Sequence, residues 1–303
     1  MPVRFFQRRY PSANSVLLTG PRPVLVDTGF VSDADELLAW LDAEATQPAA
    51  IVNTHFHTDH VGANQALQAR FGCEVGASAD EAGAVNRREP DACEAHWLRQ
   101  PFTPYTVASV LEDGDVIDTG SRHWRIVATP GHTAGHLSLF CPEDGIVVLG
   151  DALHQADIGW LSPRDPAALE RTGATLDRLA GLQAAIGYPG HGPAVTDLPA
   201  ALARGRRRLA AWQRDPQQIG WHACKRIFAH GLILRDGIAE AELAPFLLEC
   251  PWFADHARLV FGSRPEAFVA PLIQEMVRAD AAFWREGRLV ARAEYRIATR
   301  PPA

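Results

Sequence analysis

The sequence predicts an α/β fold with sheets inside and helices outside, an αβ/βα arrangement, followed by a mostly helical C-terminal unit. Three observations carry this expectation. Over residues 1–200, short β-type runs bounded by Gly and Pro alternate with helical stretches in two strand-then-helix halves. From about residue 200 the β signals fade and apolar residues recur at helical spacing. Charge divides at the same place: residues 1–200 carry 13 Lys+Arg against 25 Asp+Glu, a balance of −12, whereas residues 201–303 carry 16 against 11, a balance of +5. Two domains are therefore expected, 1–200 and 201–303, with the boundary near "TDLPA".

The elements follow in order. "VRFFQ", "NSVLLTG" and "PVLVDTG" read as a strand meander. "DADELLAWLDAEA" has helical spacing and an aspartate to cap it. "AAIVNT" is a buried strand, and "GANQALQARFG" is a helix closed by Gly72. "VLEDGDVIDTGSRHWRIVATP" reads as a turn-linked strand pair, and "HLSLFCPEDGIVVLGD" as a hairpin around "PEDG". "DPAALERTGATLDRLAGL" is helical, and "AAIGYPGHGP" is a last strand ending in a histidine loop. In the C-terminal unit, "LPAALARGRRRLAAW", "WHACKRIFAHGLIL", "EAELAPFLLEC" and "PEAFVAPLIQEMVRADAAFW" read as helices, and "EGRLVARAEYRIA" as a small hairpin or final strand.

Bulk composition excludes several classes. The 303 residues are 47% hydrophobic and 21% charged, the balance of a globular protein. No apolar run approaches the roughly 20 residues that a membrane helix needs. The first residues lack the long apolar core of a signal peptide, so a soluble, cytoplasmic protein with no membrane partner is expected. The five cysteines are widely spaced and form no CxxC pair, which argues against a disulfide framework. Lys225 is the one lysine and does not follow a glycine-rich run, so neither a phosphate loop nor Schiff-base chemistry is expected.

The stretch "VNTHFHTDHVGANQAL" places His55, His57, Asp59 and His60 within six positions. In an extended segment, side chains two apart point the same way, so one ion can take both His55 and His57. Asp59 and His60 follow where the chain turns into a helix and can face a neighbouring point. Such crowding suits two adjacent ions, which hydrolytic sites hold about 3.5–4 Å apart. Further candidates stand at strand ends beside glycines: His132 in "ATPGHTAGH", Asp151 in "VVLGDALH" and His191 in "GYPGHGP".

These motifs, HxHxDH, PGHTxGH, GD and GHG in that order, resemble the metallo-β-lactamase superfamily over about residues 1–200. The resemblance implies a four-layer αββα sandwich. It also implies that His55, His57 and His132 bind a first ion, that Asp59, His60 and His191 bind a second, and that Asp151 bridges the two. Asp27 in "LVDTG" would orient ligands from outside the metal sphere. His136 is expected to brace the His132 loop and His154 to lie near the pocket, whereas Trp160 reads more readily as a buried tryptophan packing the loop after Asp151 than as a pocket wall.

The implied cofactor is a pair of zinc ions, with iron or manganese compatible with the same ligands. Zinc lowers the pKa of bound water to about 7, so a bridging hydroxide can attack the carbonyl of an ester, thioester or lactone. Asp59 is the expected catalytic residue, orienting the nucleophile and passing a proton to the leaving group. No GxSxG elbow argues for serine chemistry. His57 speaks against flavodiiron-type relatives. Position 151 is aspartate where many zinc β-lactamases carry cysteine, which favours glyoxalase-II-like or lactonase-like relatives; Tyr188, before His191, does not match the tyrosine expected of lactonases.

The expected partner is a small-molecule substrate, and the sequence is compatible with an oligomer. A metal-dependent endoribonuclease or phosphodiesterase is the alternative. Its support is the cluster Arg204, Arg206, Arg207, Arg208 and Arg214, with Trp212 the single aromatic among them, and a C-terminal region loosely similar to the winged-helix-like domains of some superfamily members. The same arginines also read as a solvated helix face paired with the acidic first domain. A mononuclear iron persulfide dioxygenase-like oxidoreductase is the third reading.

Overall fold

The computed structural model describes residues 2–293. Among them, strands β1 (Val3–Phe6), β2 (Ser15–Leu18), β3 (Val24–Val26), β4 (Ala50–Val52), β5 (Glu74–Ser78) and β6 (Ser109–Leu111) form one sheet in sequence order. β1 to β3 pair antiparallel, and β3 to β6 pair parallel. β7 (Val116–Asp118), β8 (His123–Ala128), β9 (Leu137–Cys141), β10 (Ile146–Gly150) and β11 (Ile186–Pro189) form a second sheet in the order β11-β10-β9-β8-β7. Only its β10–β11 pair is parallel.

Alternation along the strands explains the layers. Val16 and Leu18 of β2 and Val24 and Val26 of β3 join Trp124, Ile126, Leu137, Leu139 and Val148 in one buried cluster between the sheets. The intervening Leu17 and Leu25 join Leu37, Leu41 and Leu67 on the outer helices Ala34–Ala43 and Asn64–Phe71. On the second sheet, Val147 and Leu149 of β10 meet Leu176, Leu179, Leu202 and Leu209 of the helices Ala168–Gly181 and Leu198–Arg214. Strands buried on both faces read as unbroken apolar runs, which is why "SVLL" and "IVVL" carry no polar alternation.

Local expectations fare unevenly. Gly72 ends its helix at φ 69°, a left-handed position that favours glycine. Asp33 occupies the N-cap of Ala34–Ala43, but its carboxylate is taken by the Ser32 hydroxyl and caps no helical N–H. "VLEDGDVIDTGSRHWRIVATP" is not one strand pair. It holds β6, which closes the first sheet, and the β7–β8 hairpin of the second, so the turn after Leu111 carries the chain between layers. Helices Ala79–Asn86 and Ala95–Leu98 lie in a stretch that offers little sequence periodicity.

The helices Gln217–Ile233, Glu240–Leu248, Pro251–Asp255 and Pro265–Arg278 gather around Phe228, Trp252, Phe253 and Met276. A third sheet, β12 (Ile238–Ala239), β13 (Ala282–Arg285) and β14 (Arg288–Ala291) in the order β12-β14-β13, closes this cluster. A C-terminal hairpin is present, but its first strand, β13, takes in "AFW", which reads as the end of a helix in the sequence; β14 falls in the expected strand segment, whose continuation "EYRIA" lies outside the described residues. The helix Leu198–Arg214 shares its buried residues with the second sheet rather than with this cluster. We propose that the two units divide after it, at Asp215–Pro216, and not at residue 200. Among the described residues no helix is long and apolar enough to cross a membrane.

Candidate metal centre

Five strands deliver the site by their C-terminal ends. Asp27 follows β3, His55 follows β4, His132 follows β8, Asp151 follows β10 and His191 follows β11. His57 leads into the short helix Thr58–Val61, which carries Asp59 and His60. The expected ligands come together in three overlapping groups: His55, His57 and His132; His55, His60 and Asp151; Asp59, His60 and His191.

Hydrogen bonds on the outer edges of the rings fix what the inner edges offer. His132 Nδ1 lies 2.6 Å from the Trp160 carbonyl, which can only accept, so Nδ1 carries the proton and Nε2 keeps a lone pair. His57 Nε2 donates to Glu94 Oε2 at 3.0 Å, leaving a lone pair on Nδ1. The Thr54 hydroxyl donates to Asp27 Oδ2 and accepts from His55 Nδ1 at 3.1 Å, leaving a lone pair on His55 Nε2. Those three lone pairs converge: His57 Nδ1 is 2.9 Å from His132 Nε2 and 3.1 Å from His55 Nε2. Three such nitrogens repel one another unless a cation sits among them. Their spacing is close to the ~3.3 Å that two nitrogens keep on one tetrahedral zinc. Burial and the neighbouring histidines hold His55 well below the ordinary imidazole range, and His132 likewise, so both stay neutral, as ligands must.

The second group mixes charge. His60 Nδ1 donates to Asp27 Oδ2 at 2.7 Å, and His60 Nε2, fully buried, has no hydrogen-bond partner among the described residues. It lies 3.4 Å from Asp151 Oδ1 and 3.9 Å from Asp59 Oδ2. His191 Nε2 is 3.2 Å from Asp59 Oδ2 and 3.6 Å from Asp151 Oδ2, and the latter atom is also 3.6 Å from His132 Nε2. Asp151 thus stands between the two groups. Burial opposes ionisation of Asp59 and Asp151, but His60 and His191 win and hold both carboxyls well below their usual range. An orphaned buried nitrogen facing two ionised carboxylates fits a second cation.

Supporting residues explain the precision. Asp27 accepts from the Thr54 N–H at 2.8 Å as well as from the Thr54 and His60 side chains, and so holds the His60 ring in place. His136 Nε2 accepts from the Asp151 N–H at 3.0 Å and its ring stacks 5.1 Å from His55; it braces Asp151 in addition to sitting on the His132 loop. His154 Nε2 lies 3.2 Å from Asp151 Oδ1. Gly190 is required by packing, since a Cβ there would stand 2.3 Å from Asp151 Oδ1 and 2.6 Å from His60 Cε1. Residues that carry no motif also matter. Asn14 Nδ2 donates to the Pro189 and Gly192 carbonyls at 2.9 Å each and so holds the His191 loop. Glu94 fixes the His57 tautomer.

Glu81 lies beneath the His132 loop, where it accepts from the Thr133 hydroxyl at 2.8 Å while its other oxygen has no partner among the described residues. Burial pushes its carboxyl up to about 8, against about 4.5 when exposed. Between those values the folded chain binds a proton that the unfolded chain releases, so stability falls as pH rises. Urea unfolding at pH 5.5 and 7.5 should show a loss on the order of 2.5 kcal/mol from this group. Glu81→Gln should remove most of that slope; a slope unchanged in the variant would refute the assignment.

The centre opens into a cavity of about 320 Å³. Trp160 forms one wall, stacked 5.1 Å from His57 at 16°. Leu98 and Ile227 add apolar surface, and Tyr10, Arg226 and His230 close the far side, the last two from the C-terminal helix Gln217–Ile233. That unit therefore covers the centre. Tyr188 lies apart, against Phe5 in the intersheet region. The basic run is largely engaged by the first domain: Arg204 with the Gln155 carbonyl at 2.8 Å, Arg206 with Asp177 at 2.8 Å, and Arg208 with Asp157 at 2.9 Å.

Two sandwiched sheets with a histidine–carboxylate cluster on their common rim define a metal-binding αββα protein. The profile of the metallo-beta-lactamase superfamily matches residues 9–191, and the chain belongs to that superfamily. It is 34% identical over 150 residues to a hydroxyacylglutathione hydrolase of Maricaulis maris, covering 50% of each chain. It is 27% identical over 209 residues to the thioesterase pkgB of Emericella nidulans, covering 68% of this chain and 53% of that one. The chain thus spans about half the length of the curated relatives it matches. Among solved structures, TTHA1623 in a di-iron-bound form is 30% identical with a TM-score of 0.53, over 67% of this chain and 98% of that one. The metallo-beta-lactamase family protein TTHA1429 of Thermus thermophilus shares the fold over 96% of this chain and 98% of its own, with a TM-score of 0.59 at 24% identity.

Proposed function

We propose that this protein is a dinuclear metal-dependent hydrolase of thioesters. The observation that carries the reading is the donor set: three imidazole nitrogens converge within 2.9–3.1 Å, beside a buried orphan nitrogen and two ionised carboxylates. His55, His57 and His132 would hold one ion, Asp59, His60 and His191 the other, and Asp151 would touch both. Zinc, or iron as in the di-iron relative, supplies Lewis acidity and an activated water when bound there.

The chain's own residues do the rest. Asp59 lines the cavity between His60 and His191, placed to take a proton from the attacking water. Trp160, Leu98 and Ile227 give the acyl group an apolar wall. The carboxylates that face the cavity, Asp59, Asp151 and Asp157, are all held ionised despite burial, by His60 and His191 for the first two and by His222 and Arg226 for the third. None therefore carries a proton to give the leaving group. A thiolate, whose conjugate acid has a pKa of about 8.5, departs without one; an alkoxide, far more basic, does not. This favours an acyl–sulfur bond over an oxygen ester or a lactone, in line with relatives named for an acylglutathione and for a thioester.

The test is a substrate panel on zinc-loaded protein: S-acyl thioesters, oxygen esters, lactones and RNA, with released thiol read by a chromogenic reagent. Thioesters should turn over at least about tenfold faster in kcat/KM than matched oxygen esters, a difference of about 1.4 kcal/mol in activation free energy. Cleavage of RNA with no thioester turnover would refute the proposal.

A further inference from the structure

One cavity-facing side chain has no part in the metal centre. His230, on the helix Gln217–Ile233, is buried and lines the cavity, and its Nε2 has no hydrogen-bond partner among the described residues. A relay from the metal-ligand segment sets its tautomer. The Thr58 hydroxyl, between His57 and Asp59, donates to Gln100 Oε1. The amide nitrogen of Gln100 is then the end that faces the ring, and it lies 3.1 Å from His230 Nδ1. An amide NH₂ can only donate, so Nδ1 accepts and the ring proton resides on Nε2. Burial keeps the ring neutral, lowering it to about 4. Packing fixes its plane: Phe30 lies edge-on at 5.5 Å and Tyr10 at 6.2 Å, and Tyr10 also stands edge-on to His191 at 5.8 Å.

The other donors on that wall are committed. The Tyr10 hydroxyl donates to the Arg226 carbonyl at 2.7 Å, and the Arg226 guanidinium is held by Asp157 at 2.6 Å. A buried N–H with no acceptor costs roughly 1–3 kcal/mol, and because the ring belongs to the cavity lining, the acceptor available to it is one that arrives with the substrate.

Resting on the thioester reading, we infer that His230 is a further catalytic residue, whose Nε2–H donates to the carbonyl oxygen of the bound acyl group as that oxygen gains negative charge. The C-terminal unit then contributes to the reaction and does more than cover the site. Thr58 and Gln100 are positioning residues that act through it.

Two measurements on the full-length, metal-loaded protein test this. His230→Phe keeps the ring volume and removes the donor; kcat on the best thioester should fall about 100-fold, the scale of losing one such donor, with metal content unchanged. His230→Gln, which restores an N–H, should recover at least about tenfold of that loss. A His230→Phe enzyme within about threefold of wild type would overturn the inference. Independently, ¹⁵N spectra of histidine-labelled protein should show His230 as the Nε2–H tautomer, and the Nδ1–H tautomer would overturn it. A wild-type protein without thioester turnover refutes the functional reading instead, while the tautomer still decides the donor.

Discussion

Asp151→Ala should lower kcat/KM on thioesters by more than about 10³-fold, or over 4 kcal/mol in transition-state stabilisation. Its carboxylate lies within 3.2–3.6 Å of nitrogens on His60, His132, His154 and His191, so it stands between the two proposed ligand sets. Removing it takes away one of the carboxylates that face His60 and His191 and leaves Asp59 to serve both rings. Metal content should drop by at least one ion per chain. Elemental analysis alongside steady-state kinetics checks this, and near-wild-type activity with full metal occupancy would contradict the bridging role.

Asp59→Asn is expected to act differently. The amide retains one oxygen for an ion but cannot accept a proton, so kcat should fall by about 10²–10³-fold with KM changed little. The carboxylate's place, 3.2 Å from His191 and in the cavity lining, makes this separation of effects measurable. A raised KM with intact kcat would instead assign Asp59 to substrate binding.

The candidate ligands were legible because they follow strands in short motifs, most of them beside a glycine, and two of the motifs carry more than one histidine. What surrounds the ligands was not. Glu94 fixes His57 from 37 positions away, Asn14 holds the loop after β11 from 175 positions away, and Gln100 reaches His230 across 130. Each is an ordinary polar residue with no local pattern, and only the closed fold brings it to the site. The segment around residues 79–98 was opaque for a related reason: its helices are short and one is a single turn, so no amphipathic period develops. "VLEDGDVIDTGSRHWRIVATP" misled because alternation marks a strand without saying which sheet receives it. The arginine cluster showed its charge in the sequence, but its partners Asp157 and Asp177 lie 51 and 29 positions away.

The C-terminal helices were visible as helices, yet their bearing on chemistry was not. Arg226, Ile227 and His230 reach the cavity because the helix Gln217–Ile233 lies across the rim where the strands end. Trp97 and Leu98 of the first unit join the same apolar cluster and tie that helix in place.

The dinuclear centre stands or falls on metal content per chain, read by elemental mass spectrometry on untagged protein purified without added metal and again after zinc is offered. About two ions per chain are expected, with thioester hydrolysis lost on chelation and regained on reloading. One ion at most, or none after zinc is supplied, would contradict a dinuclear centre.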